Sequence, residues 1–342
     1  MTSCLVTGAA GFIGYHLCEA LVAKGTYVLG VDNLNDYYDP QLKRDRLSRL
    51  RTHPNSLFIR LDLSDREAVA ALFNNARFDS VFHLAAQAGV RYSIENPQAY
   101  VDSNLVAFVN VLEGCRHSQS PHLVFASSTS VYGANGAISP GAPYPADRPL
   151  SLCAATKRAN ELLASAYSHL YGLNVTGLRF FTVYGPWGRP DMAIYKFTRA
   201  MLAGEPVDLF NHGEMRRDFT YIDDAVAGIV RAAHRTQKAS RTTSADFRLY
   251  DIGSNHPVGL RALIGTLEEC LGVPAKLRMH GMQPGDVAET RADIDTTTRD
   301  LGFRSRTSLR EGLERFVAWY REYHRDRLAG CQPAALSMAG PG

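Results

Sequence analysis

Thr7-Gly8-Ala9-Ala10-Gly11-Phe12-Ile13-Gly14 follows directly on the apolar run Cys4-Leu5-Val6 and opens a stretch with helical periodicity. Glycines spaced in this way permit a tight strand-to-helix turn and close backbone approach to a ligand, so the helix N-terminus can face a pyrophosphate. A glycine triplet alone is weak evidence. Its weight comes from its setting, and from Asp32, which closes the next apolar run roughly 20 residues on, where a carboxylate accepts from a ribose 2′-hydroxyl and repels a 2′-phosphate. Together they predict the first βαβ unit of a dinucleotide fold that takes NAD rather than NADP. Asp62 follows a later apolar run, and serves either as an acceptor for the adenine amino group or as the N-cap of the next helix.

Outward from this stretch, short β-branched or aromatic runs at residues 4–6, 27–31, 57–61, 80–84 and 123–126 read as buried strands. Residues 15–23, 66–73 and 105–116 between them carry helical periodicity, and a long helix at 157–171 leads to a further strand at 175–181. This alternation predicts an α/β fold with a doubly wound parallel sheet of the Rossmann type. After Val183 the pattern loosens into loops rich in Gly, Pro and Asp, with a short strand at 207–210 and helices at 225–233 and 259–271. Residues 1–183 are thus expected to be mainly the NAD-binding part, and 184–327 mainly a smaller substrate-binding part with some return to the sheet. The Ala-, Gly- and Pro-rich stretch 328–342 is expected to be disordered. Ligands of open α/β sheets sit beyond the carboxyl ends of the strands, where these later loops can close over a cofactor.

Composition narrows the function. In a chain of 342 residues, 45% apolar residues supply an ample core. Lys and Arg exceed Asp and Glu by only three, and no basic block interleaved with aromatics occurs, so a nucleic-acid partner is disfavoured. No apolar run reaches membrane-spanning length and no signal-like segment precedes the first strand, which together favour a cytoplasmic protein. The six cysteines (Cys4, Cys18, Cys115, Cys153, Cys270 and Cys331) lack C-x-x-C spacing, so neither a metal site nor a disulfide framework is expected.

Several further motifs stand in a fixed order: His83-Leu84-Ala85-Ala86, Ser127-Ser128-Thr129-Ser130-Val131-Tyr132-Gly133, Cys153-Ala154-Ala155-Thr156-Lys157, Arg217-Asp218-Phe219-Thr220-Tyr221 and Gln283-Pro284-Gly285-Asp286-Val287. With the glycine stretch they resemble the extended short-chain dehydrogenase/reductase family of nucleotide-sugar enzymes, and the resemblance runs from Leu5 to about Tyr320. Two longer segments are similar to the UDP-glucuronate 4-epimerase branch. These are Ala86-Gln87-Ala88-Gly89-Val90-Arg91-Tyr92-Ser93 and the run from Leu178 through Arg179-Phe180-Phe181-Thr182-Val183-Tyr184-Gly185-Pro186-Trp187-Gly188-Arg189-Pro190-Asp191 to Met192.

The resemblance implies an NAD site at Gly8, Gly11, Phe12, Ile13, Gly14, Asp32, Asn33, Asp62, Leu63, Leu84, Ala85, Ala86 and Lys157. It implies a UDP-sugar site at Arg91, Ser128, Thr129, Ser130, Thr182, Arg189, Arg217 and Asp286. Within that site Thr182 and Arg189 would meet the C6 carboxylate of UDP-glucuronate or UDP-galacturonate, since an arginine fork suits a carboxylate; residue type alone equally allows Arg189 to be a surface loop charge. Arg217 would meet the pyrophosphate and Asp286 the uridine ribose. Arg216 competes for the first of these roles, and pairing of either arginine with Asp218 or Asp223 at the surface is the alternative. A homodimer through the helices at 105–116 and 157–171 is also implied, although Leu162, Leu163 and Tyr167 would serve a core equally well.

The reaction implied is epimerisation: hydride leaves sugar C4 for NAD, the 4-keto sugar turns, and hydride returns to the other face. The catalytic group would be Ser128, Thr129, Cys153 and Lys157. The family carries a tyrosine as acid/base where this chain has Cys153, with a lysine and a hydroxyl residue assisting. A free thiol near pKa 8.5, beside Lys157 and a cationic nicotinamide, is a candidate thiolate base. Its sulfur falls several ångströms short of a phenol oxygen, so Cys153 is expected either to act through a bridging water or to be an inert small residue, and activity is expected to be impaired. Family dehydratases and decarboxylases carry carboxylates where this chain has Thr129-Ser130. Decarboxylation is therefore the runner-up among reactions, and a non-catalytic binder of NAD and nucleotide sugar is the alternative of a different class.

Overall fold

A computed structural model describes residues 2–118, 122–135, 148–239, 246–283 and 285–325. The expected disordered stretch 328–342, Cys331 and Pro284 lie outside the described residues. Strand β1 (Ser3–Thr7) runs into the glycine turn, and helix Phe12–Val22 starts inside that turn rather than at residue 15, because Gly11 takes the extended conformation of an N-cap. The strands that follow are β2 (Tyr27–Asp32), β3 (Ser56–Arg60), β4 (Ser80–His83), β5 (Leu123–Ser128) and β6 (Val175–Phe180). Later come β7 (Thr182–Tyr184), β8 (Pro206–Leu209), β9 (Arg216–Tyr221), β10 (Phe247–Ile252), β11 (Pro257–Gly259) and β12 (Lys276–Met279).

Seven strands form one parallel sheet in the order β10-β6-β5-β4-β1-β2-β3. Chain order reverses between β1 and β4, which makes the carboxyl end of β1 the switch point where such sheets bind ligands. Two small sheets, β11-β9-β7 and β12-β8, are built from later residues.

Alternation along each strand explains why both faces of the main sheet are covered. Cys4 and Val6, Phe82, Val124 and Leu178 face one apolar cluster, while Leu5, Val81, Leu123 with Phe125, and Val175 face the other. Side chains alternate across a strand, so unbroken apolar runs of this kind need helices on both sides. Each fully buried Phe or Leu contributes roughly 1.5–3 kcal/mol. One face is covered by helices that include Phe12–Val22 and Ile222–Ala239, the other by Arg66–Asn75 and Ala107–Ser118.

The helix expected at 157–171 begins five residues earlier, at Leu152, where the Ser151 hydroxyl accepts from the Ala154 N–H. Cys153 therefore sits in its first turn and Lys157 one turn on. Along this helix Leu163 and Tyr167 pack against the core, whereas Leu162 is 57% exposed. Among the described residues no helix is long and apolar enough to cross a membrane, and no cluster of His, Cys, Asp or Glu is suited to hold a metal ion.

The glycine turn leaves no room for side chains. A Cβ on Gly14 would lie 2.1 Å from the Gly8 carbonyl oxygen, a backbone atom that cannot swing away. Gly14→Ala is expected to lower stability in thermal unfolding by about 1–3 kcal/mol. Gly265→Ala, whose Cβ meets nothing within 4 Å, is expected to be neutral or slightly stabilising.

Candidate active site

A cleft of about 1130 Å³ opens at the carboxyl ends of the central strands. It brings together every site residue that the sequence singles out. The glycine turn (Gly8, Gly11, Phe12, Ile13, Gly14), Asp32, Asn33, Asp62, Leu63 and Leu84-Ala85-Ala86 line one part. Ser128, Thr129, Ser130, Cys153 and Lys157 line another, and Arg91, Thr182, Arg189, Arg217 and Asp286 also reach it.

On the glycine side, helix Phe12–Val22 has no side-chain cap, so its first N–H groups face the cleft uncapped. Such a terminus carries partial positive charge suited to a pyrophosphate. Gly8 has φ +72° and packs so closely on the segment after β4 that a Cβ would meet the Ala85 nitrogen at 2.7 Å. The Asp32 carboxylate accepts from the Ala10 N–H (3.2 Å) and the Leu34 N–H (2.8 Å), which holds it at the end of β2. An uncapped helix terminus, a side-chain-free cradle and a fixed carboxylate suit the pyrophosphate and ribose of a dinucleotide. Asp62 is not the N-cap of the following helix. Asp65 takes that role, accepting from Ala68, while Asp62 accepts from the Asn33 amide and from Ser64 and faces the cleft.

At the centre, the Ser128 hydroxyl accepts from Ser130 Oγ (2.8 Å) and the Ser130 N–H (3.2 Å), which leaves its own hydrogen available to a ligand. Lys157 Nζ donates to the Ala126 carbonyl at 2.8 Å. Burial brings its pKa down to about 8, against a smaller opposing pull from Cys153. Burial raises the Cys153 pKa, and the Lys157 charge, a Gly89 main-chain hydrogen bond and the Arg189 charge only partly oppose this, which favours the thiol form. Tyr132 lies near in sequence but is committed elsewhere: its hydroxyl donates to Asp251 (2.7 Å) and accepts from Arg179 (2.8 Å).

Arg189 is not a surface loop charge. Its Nε and Nη2 donate to the two Asp191 oxygens at 3.0 and 2.5 Å, and Tyr37 donates to the same carboxylate at 3.1 Å. Burial pushes the Asp191 pKa up, but the Arg189 cation outweighs it and holds the carboxyl below its ordinary range. The paired arginine lines the cleft.

The structure also separates Arg217 from Arg216. Arg217 lines the cleft with Asp286, its Nη1 donating to the carbonyls of Arg216 and Ala288. Arg216 points outward to Glu289 and the Pro257 carbonyl. Neither pairs with the acids that the sequence offers: Asp218 is buried and accepts from Ser254, Asn255 and Ala292, and Asp223 pairs with Arg315.

Residues 35–46 contribute site groups that the sequence reading passes over. Tyr37, Tyr38 and Lys43 line the cleft from the loop before helix Pro40–Leu50 and from the helix itself. The signal was Asp39-Pro40, since Asp39 caps that helix by accepting from Gln41 and proline suits its first position.

A parallel sheet of this order, with an uncapped helix terminus at its switch point and a carboxylate closing β2, defines a Rossmann-type dinucleotide-binding protein. Residues 4–248 match the NAD dependent epimerase/dehydratase family, and the chain belongs to that family. NAD is its cofactor. The chain is 47% identical over 331 residues to Protein CapI of Staphylococcus aureus, covering 94% of this chain and 99% of that protein. It is 46% identical over 330 residues to UDP-glucuronate 4-epimerase 4 of Arabidopsis thaliana, covering 94% of this chain and 75% of that one. Among solved structures it is similar to UDP-glucuronic acid 4-epimerase from Bacillus cereus in complex with UDP-glucuronic acid and NAD. That likeness has a TM-score of 0.85 and 33% identity, over 94% of this chain and 100% of the other.

Proposed function

We propose that this protein interconverts UDP-glucuronate and UDP-galacturonate by epimerisation at C4, and that Cys153 slows the reaction by standing where a tyrosine would serve. The observation that carries the reading is Arg189, a largely buried guanidinium fixed by Asp191 in the same cleft as Ser128 and Lys157. A fixed cation beside a hydroxyl and a lysine suits a sugar that bears a carboxylate at one end and reacts at a hydroxyl. Similarity to the Arabidopsis and Bacillus epimerases supports the same substrate.

In this reading Arg189 and Thr182 bind the C6 carboxylate, Arg217 faces the pyrophosphate, Asp286 accepts from the uridine ribose and Arg91 lines the sugar-nucleotide side. Asp32 and Asp62 hold the adenosine half of NAD. Bound NAD supplies the hydride acceptor and donor, restored in each cycle. Ser128 donates to the C4 oxygen and fixes its position, with Thr129 and Ser130 beside it. Lys157 adds positive charge, which favours loss of the C4-hydroxyl proton. Cys153 is protonated and short, so that proton leaves through water and the step is slow. No carboxylate stands at Thr129-Ser130 to assist loss of C6, which disfavours decarboxylation.

We further propose a homodimer through helices Ala107–Ser118 and Leu152–Tyr171, whose exposed apolar residues include Leu162, Leu170 and Tyr171. The five described cysteines are free thiols, which suits a reducing, cytoplasmic setting. A second reading, a non-catalytic binder of NAD and UDP-sugar, is favoured by the protonated thiol alone.

Chromatography after incubation with UDP-glucuronate tests the proposal: UDP-galacturonate is expected, and a UDP-pentose would redirect it to decarboxylation. Lys157 gives a pH dependence. Its charge is present below about pH 8, so turnover is expected to decline as pH rises through 8. Stability moves the other way. Between about 8 and 10.5 the unfolded chain binds more protons at this site than the native one, so this contribution to stability rises with pH in that window. A rate profile and melting curves, each compared with Lys157→Met, check the two signs.

A further inference from the structure

Arg46 is fully buried, and its acceptors are three main-chain carbonyls and a phenol. From helix Pro40–Leu50, its Nη1 donates to the Ala10 carbonyl and the Tyr38 hydroxyl, each at 2.8 Å. Its Nη2 donates to the Trp187 carbonyl at 2.5 Å and the Gly188 carbonyl at 3.4 Å. The carbonyl acceptors belong to two separate parts of the site. Ala10 lies inside the glycine turn, and its N–H donates to Asp32, so this residue is held by Arg46 at its carbonyl and by Asp32 at its nitrogen. Trp187 and Gly188 immediately precede Arg189.

The second loop needs such support. Trp187 has φ +60°, a left-handed conformation unfavourable to a bulky residue, which persists only where surrounding contacts impose it. The Arg46 bond to its carbonyl imposes it from one side. Packing of its ring against Tyr15, Trp319 and Tyr323, with Arg49 over its face, imposes it from the other. A buried guanidinium is costly to desolvate, and its several carbonyl dipoles offset that cost only while both loops stay in place.

We propose that Arg46 is a positioning residue that couples the NAD-facing glycine turn to the carboxylate subsite at Arg189, so that cofactor retention and selectivity for a sugar acid change together. The inference rests on the UDP-uronate reading given above. A planar fork bridges the two loops, whereas the single ammonium of lysine can serve only one of them at a time. Coupling of this kind is reciprocal: order gained at one loop tightens the other.

The test uses the NAD-loaded protein. UDP-glucuronate and UDP-glucose are titrated calorimetrically into the parent, Arg46→Lys and Arg189→Met, and NAD retained through gel filtration is measured by absorbance. In Arg46→Lys, the preference for UDP-glucuronate is expected to fall about 10-fold with UDP-glucose affinity unchanged, and NAD retention to fall with it. Arg189→Met is expected to lose the preference while keeping its NAD. Arg46→Lys protein that retains both properties, or loses only one, overturns the coupling. Should that variant not fold, amide exchange in the parent decides: UDP-glucuronate but not UDP-glucose should slow exchange at both 8–14 and 185–189, and protection at 185–189 alone overturns the proposal. A parent without preference for UDP-glucuronate is a different result, and it removes the substrate reading itself.

Discussion

Cys153→Tyr is expected to raise turnover of UDP-glucuronate by about 10²- to 10⁴-fold, the usual worth of a positioned acid/base. Its surroundings are already assembled. Ser128 keeps a hydrogen to donate, Lys157 supplies charge below about pH 8, and residue 153 lies in the first turn of the helix with its side chain on the cleft. What the thiol lacks is the reach of a phenol, since it is several ångströms shorter, and burial raises its pKa. Cys153→Ala is therefore expected to match the parent within a factor of a few. If alanine abolishes the parent's activity, the thiol takes part directly and the inert reading fails.

Arg189→Met is expected to have the largest effect on binding. Removing one partner of a largely buried, hydrogen-bonded charge pair costs about 2–5 kcal/mol, which corresponds to roughly 30-fold or more in affinity. Two effects act together here. The substrate carboxylate loses its cation, and Asp191 loses the partner that fixes it and holds its carboxyl below the ordinary range. UDP-glucose has no carboxylate and should bind the variant as well as it binds the parent. Calorimetric titration with both nucleotides measures the difference. Equal losses for the two would mean that Arg189 supports the loop rather than reading the sugar.

Much of this site was legible in the sequence because its chemistry sits in contiguous stretches. The glycine turn, Asp32, Ser128 and Lys157 each stand at a strand end or in the first turns of a helix, where local pattern fixes their place. The sheet was legible for a related reason: strands buried on both faces read as unbroken apolar runs. What escaped depends on contacts between distant segments. Arg46 and Trp187 are 141 residues apart, and Tyr37 and Asp191 are 154 apart. Spacing alone could not choose between Arg216 and Arg217, because neighbours on one strand face opposite sides and only tertiary packing says which side holds the cleft. Asp62 posed the same difficulty, since an acid just before a helix suits a cap until Asp65 is seen to fill that place.

The most direct test of C4 epimerisation in this cleft follows the C4 hydrogen itself. Cys153→Tyr protein, loaded with NAD, is incubated with UDP-glucuronate deuterated at C4, and the products are separated and weighed by mass spectrometry. UDP-galacturonate that retains the deuterium is the expected result, because the hydrogen leaves and returns to the same carbon without meeting solvent. Product that has lost the label to water, or no UDP-galacturonate at all, would contradict it.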